Sequence, residues 1–187
     1  MANKDAAFGF RPVRHLSGGL IRTNEYAIAA NYGTSIFQGQ CVIAVTAGGI
    51  EAAAAGNVIL GVFGGCFFTH PTTGKPTFSN HYPASTNASD IVAQVYDDPR
   101  IVFEVQHDGT GTAAMNFGGF DFTGTSGSTL SGRSTQELDT STSTTSGQFK
   151  QIGISKDPNN SDVSAANANA YVVANVGEHT WLLTTAI

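Results

Sequence analysis

Short runs of alternating apolar and polar residues recur along this 187-residue chain with the period of β-strands rather than of helices. From 24 to 30 the alternation of Tyr26 and Ile28 predicts a first strand, and Cys41-Val42-Ile43-Ala44-Val45, closed by Gly48-Gly49, predicts a second. Val58 to Phe63 and Cys66 to Thr69 follow at short spacing. Ile91 to Tyr96 and Arg100 to Gln106 carry the sharpest pattern. In the latter, Ile101, Phe103 and Val105 share one face, while Arg100, Val102, Glu104 and Gln106 share the other. Asp97-Asp98-Pro99 between them is a turn, either of a hairpin or of a corner where the chain changes sheets. Phe149 to Ser155, Ala170 to Val176 and Thr180 to Thr184 are expected to close the body, with Trp181, Leu182, Leu183 and Ile187 as core. The cadence predicts a mainly β fold, a compact barrel or sandwich with at most short helices, and not βαβ units. No fixed-period repeat is visible, which disfavours solenoids and propellers.

Two stretches break the rhythm. Between Pro71 and Ser89 three prolines fall among Thr, Ser, Asn and Gly, so a surface excursion is predicted near 70–90. Phe78 and Tyr82, beside His70 and His81, would either grip a partner there or pack onto their own domain. From Asp121 to Gln148, Ser and Thr fill 15 of 28 positions, which reads by composition as a linker or second excursion. Within it Ser134-Thr135-Gln136-Glu137 has the spacing of a capping box, and a short helical turn is expected.

Composition narrows the picture. Charged residues are only 12% while hydrophobic ones are 41%, so Ser, Thr, Asn and Gly must cover the surface. Such a chain is either disordered or all-β with many tight connections, and 12 Phe with five Tyr argue for the second. The first 22 residues carry four of the nine basic side chains and one of the 14 acids, net +3. Five basic and 13 acidic residues remain for 23–187, net −8, and so acidic a body disfavours nucleic acid as a partner. The two cysteines, Cys41 and Cys66, sit in separate apolar stretches and read as buried thiols, although a lone disulfide is the other possibility. Glu51, Asn57 and six glycines interrupt the apolar stretch from Cys41 to Phe68, so no membrane span is expected. The opening Met-Ala-Asn-Lys-Asp has no apolar secretion core, and synthesis in a reducing cytoplasm fits best.

Candidate chemistry is sparse. Gly109-Thr110-Gly111-Thr112-Ala113-Ala114 loosely fits a phosphate-binding fingerprint, but poor helix material follows it, and a turn is the better reading. Gly74-Lys75 precedes Pro76 where a P-loop needs a hydroxyl. His107 and Asp108 are neighbours on a strand, point to opposite faces and lack a nucleophile elbow, so His107 reads as a solvated strand end. Asp157 to Asp162 resembles a calcium loop without its central Gly and terminal Glu, leaving an Asx turn. His15, His70, His81, His107 and His179 show no zinc spacing. No catalytic residue, metal or cofactor is expected.

The basic segment has no helical period and holds Phe8-Gly9-Phe10-Arg11-Pro12-Val13-Arg14-His15, so it is expected to be an extended arm over 1–22, separate from a single domain over 23–187. This run, together with Phe103-Glu104-Val105-Gln106, Ser134-Thr135-Gln136-Glu137-Leu138-Asp139 and Asp157-Pro158-Asn159-Asn160, resembles virion structural proteins of marine tailed bacteriophages, most like the small head-decoration or cement class. The resemblance spans nearly the whole chain. It implies a place on the phage head surface, a β-rich and by analogy tulip-like body, and no enzymatic residues.

The resulting expectation is a non-enzymatic cement protein whose partners are the major capsid protein and neighbouring copies of itself, as a dimer or trimer. Phe8, Phe10 and Pro12 would anchor the arm, Arg11, Arg14 and His15 would orient it, and Phe78 and Tyr82 would add a contact loop. The arm should then be removable without loss of the body. A tail or adaptor ring protein and a glycan-binding β module using Tyr, Trp and Asn are the rival readings.

Overall fold

The computed structural model describes residues 2–183. Its strands are β1 (Arg11–His15), β2 (Asn24–Ala27), β3 (Ile36–Phe37), β4 (Cys41–Ala44), β5 (Ile50–Ala52), β6 (Gly61–Thr69) and β7 (Pro76–Ser79). They continue with β8 (His81–Tyr82), β9 (Val92–Tyr96), β10 (Ile101–Gln106), β11 (Gly119–Thr123), β12 (Glu137–Thr144), β13 (Phe149–Ile154) and β14 (Asn169–Ala174). Helical structure among these residues is limited to two 3₁₀ turns, Ala113–Met115 and Thr180–Leu182. Among the described residues no helix is long and apolar enough to cross a membrane.

Two open antiparallel sheets form a β-sandwich. One has the order β1-β10-β14-β13-β11-β12; the other runs β2-β9-β6-β4-β5, with β7 also on β6 and the small β3-β8 pair apart. A first core lies between the sheets, where Cys41 and Val62 meet Ile101, Phe103, Val105, Phe120, Phe149 and Val172. A second core, including Ile36, Val42, Phe63, Cys66, Tyr82 and Val95, fills the opposite face of the β2–β5 sheet. Cys41 and Val42 therefore serve different cores, as the two-residue period of a strand buried on both faces requires. In β6 a register shift between Phe63 and Gly65 keeps Phe63 and Cys66 in the same core despite their odd separation. Gly65 adopts φ +145°, and a Cβ there would come 2.8 Å from the Phe78 ring. Both cysteines are buried free thiols, and burial pushes the Cys66 thiol up to about 12.

The Asp97-Asp98-Pro99 turn is a corner: β9 belongs to one sheet and β10 to the other. The excursion near 70–90 contains β7 and β8, and the Ser/Thr-rich stretch contains β11 and β12. The helical turn expected at Ser134 is absent. Ser134 is buried, its N–H donates to the Gln38 carbonyl at 2.9 Å, and its Oγ accepts from Gln136 N at 3.0 Å, so extended backbone leads directly into β12. The closing strand expected at 180–184 is also replaced, by the second 3₁₀ turn, in which Trp181 is exposed; Thr184 and Ile187 lie outside the described residues.

The first 22 residues do not form an independent arm. Phe10 is 1% exposed in the first core, and β1 is a full member of its sheet, pairing with β10. Upstream, Asn3 Nδ2 donates to the carbonyls of Asp162 and Ala166, both at 2.8 Å. Gln106 Nε2 donates to the Lys4 carbonyl at 2.9 Å, while its Oε1 accepts from Ala6 N at 3.0 Å. This segment supplies the partners of the second face of β10, which is why Glu104 and Gln106 are buried where the alternation alone suggests solvent.

Candidate functional site

Gly9 bends the N-terminal segment inward at φ +73°. A Cβ there would lie 2.5 Å from the Gly39 carbonyl oxygen, and Phe10 N donates to that same oxygen at 2.8 Å. This close approach inserts the Phe10 ring between Phe149, stacked at 4.3 Å, and the edges of Phe103 and Phe122 at 6.4 and 6.3 Å. Phe10 is consequently a core residue, 1% exposed. Its neighbours remain accessible. Phe8, Arg11 and Pro12 line a cavity of about 300 Å³ with Gln38, Tyr96 and Arg133. The Arg11 guanidinium sits 4.9 Å from the Phe8 ring centroid and pairs with the buried Glu104 carboxylate.

Downstream, β1 pairs on one side only and forms an edge of its sheet, with a register shift between Pro12 and Arg14. Arg14 is exposed, as are Val13, Leu16 and, at 84%, Leu20. His15 turns aside, with its Nε2 3.0 Å from Asp98 Oδ2. Of the predicted contact loop, Tyr82 is fully buried, its hydroxyl donating to the Tyr32 carbonyl at 3.0 Å, so it is a core residue too. Phe78 is 63% exposed and lies opposite the exposed Phe67 across β6 and β7. The structure thus gathers Phe8, Arg11 and Pro12 in one groove and places Arg14, His15 and Phe78 elsewhere.

A second constellation escapes the sequence pattern. At the β9–β10 corner the buried Asp97 carboxylate accepts from Asn24 Nδ2 at 3.0 and 2.9 Å, from the Tyr26 hydroxyl at 2.5 Å and from Trp181 Nε1 at 3.0 Å. Burial, then the hydrogen bond to Asp97, raises the Tyr26 hydroxyl well above its ordinary value. Burial lowers His179 to about 4, so its neutral Nδ1 can accept from Trp181 N at 3.3 Å. Next in the chain, Asp98 is held below the usual carboxylate range: partial burial opposes this, but the Arg100 N–H and His15 outweigh it. The only hint in the sequence was the paired acids at a turn, and Trp181 gave none because it reads as core.

His107 is buried rather than solvated. Its Nε2 donates to Gln151 Oε1 at 2.8 Å, while Nδ1 has no partner among the described residues, and burial lowers its pKa. A Cβ at Gly111 would lie 1.9 Å from that nitrogen, so the glycine-rich turn is shaped by the imidazole beneath it. Asp108 is exposed and accepts from Thr140 N and Oγ1, both at 2.9 Å.

Comparison with family models, curated proteins and solved structures finds no match to this chain. The fold defines its class: a β-sandwich whose named strands pair antiparallel and whose N-terminal segment supplies an edge strand of the body.

Proposed function

We propose that this chain is a capsid decoration protein that binds the outer surface of a tailed-phage head, bridging major capsid protein subunits and neighbouring copies of itself. One observation carries this reading. The edge strand β1 and the residues after it combine an unpaired strand edge with exposed apolar side chains, Val13, Leu16 and Leu20, and exposed cations, Arg14 and Arg22. A strand edge can add a partner strand by main-chain hydrogen bonds, while apolar anchors supply affinity and cations select an acidic surface. The net charge of −8 over 23–187 leaves the basic segment as the natural point of contact with an acidic shell. The anchoring role moves from Phe10 to Leu16 and Leu20, with Phe8 and Arg11 forming the adjoining groove.

The test is co-sedimentation of the full chain with phage heads from which it has been stripped. Saturable binding at many sites over the head is expected, and the pair Leu16→Ser, Leu20→Ser should abolish it while leaving the melting temperature unchanged. Failure of the unaltered chain to bind heads refutes the reading. Binding confined to a single ring at a vertex or tail would move the protein to an adaptor.

A further inference from the structure

We propose that the corner cleft is a carbohydrate site, taking a neutral pyranose ring against Trp181. The cleft has a volume of about 360 Å³, within the range of small-molecule sites. It is lined by His15, Asn24, Asp97, Asp98, Arg100 and Trp181.

Trp181 is 60% exposed, yet it is held at two points: Nε1–H donates to Asp97 and the backbone N–H donates to His179. With its polar handle occupied, what the indole offers the cleft is apolar ring surface. Burying a carboxylate is costly unless neutral donors satisfy it, and Asn24, Tyr26 and Trp181 do so for Asp97. These two hydrogen bonds fix the direction of a large aromatic surface that stands in the open, and a side chain already oriented loses less entropy on binding.

The polar groups around the indole decide what can lie on it. Asp98 is oriented by the Arg100 N–H at 2.8 Å and by His15, and a carboxylate keeps further acceptor sites when two are filled. Arg100 is exposed and brings donors only. Acceptor and donor side by side match the adjacent hydroxyls of a sugar, whose C–H face is apolar enough for the indole. A quaternary cation would meet a single aromatic wall with Arg100 beside it, and an anion would meet Asp97 and Asp98. A neutral polyhydroxylated ring avoids both conflicts. The inference does not depend on the capsid reading.

Trp181 is the sole tryptophan of the chain, so its fluorescence reports on this cleft alone. The full chain is titrated with glucose, galactose, mannose, N-acetylglucosamine and their short oligomers, with choline and glucuronate as charged comparators. A saturable emission change is expected with at least one neutral sugar. The double variant Asp98→Asn, Arg100→Ser should weaken that sugar at least about tenfold, since hydrogen bonds to charged groups are lost. The amide oxygen introduced by Asp98→Asn still accepts the N–H that closes the turn. Trp181→Ala, checked by thermal melt, should give no binding heat by calorimetry. The proposal is overturned by silence toward every neutral sugar, by a response unchanged in the double variant, or by a response to choline or glucuronate alone.

Discussion

The rings of Phe10 and Phe149 stack with centroids 4.3 Å and planes 18° apart, tying the tenth residue to a strand near the other end of the chain. Truncating Phe10 removes a ring that touches Phe103 and Phe122 as well. Phe10→Ala should therefore cost about 3–5 kcal/mol, seen as a lowered midpoint in urea unfolding, whereas Phe8→Ala, at a half-buried position, should cost less than about 1.5 kcal/mol. By the same contact, deleting residues 1–16 destroys the core instead of releasing an arm.

Gly9 and Gly18 share φ +73°, but only Gly9 is crowded, with Gly39 O and Ser134 Cβ within 2.5 and 2.8 Å of an added Cβ. Gly18→Ala should cost about 1 kcal/mol, the penalty of the left-handed backbone alone. Gly9→Ala should cost roughly 2 kcal/mol more, because the carbonyl it meets cannot move without releasing Phe10. Paired thermal melts compare the two.

Acid should weaken the fold through its buried histidines. His179 is neutral in the folded state down to about 4, while in the unfolded chain it takes up a proton near its usual value of about 6.5. The stability it protects is present above pH 6.5 and is lost as the pH falls from there through 4, a difference of about 3 kcal/mol for this group. His107, lowered by burial, acts in the same direction. Glu137 acts oppositely over this range, so in a Glu137→Gln background urea midpoints between pH 7 and 4 should fall, and adding His179→Gln should flatten that slope.

Glu137 shifts the opposite way. Partial burial, with Asp5 and Asp108 nearby, raises it to about 7. Its contribution is present below about pH 4.5 and is lost as the pH rises through 7. Glu137→Gln should consequently stabilise the protein at pH 8 and have little effect at pH 4, as read by thermal melts at both.

Most of the sandwich was legible in the chain because its strands announce themselves locally. Ile101, Phe103 and Val105 alternate within six residues, and Asp-Asp-Pro marks the corner next to them. β12 was not legible, because of its eight residues Glu-Leu-Asp-Thr-Ser-Thr-Ser-Thr only Leu138 is buried and the rest resembles a linker. It is a strand because β11 lies beside it. The candidate site was half visible: Phe8, Arg11 and Pro12 do share a groove, but Gln38, Tyr96 and Arg133 on its other side come from distant strands and loops. Trp181 reads as core from its size, and only the position of Asp97 explains why it stands in the open.

Local chemistry by itself determined the β class, the turn at Asp97, the polar low-charge surface and the concentration of basic residues in the first 22 positions. Each follows from neighbours along the chain, through period, turn preference or charge. Tertiary structure alone decided that this basic segment belongs to the body, that Phe10 and Tyr82 are core, and that Glu104 and Gln106 are covered. The reason is that burial is a property of what arrives from elsewhere: Phe149 to cover Phe10, Tyr32 to meet Tyr82, and Lys4 and Ala6 to bond Gln106.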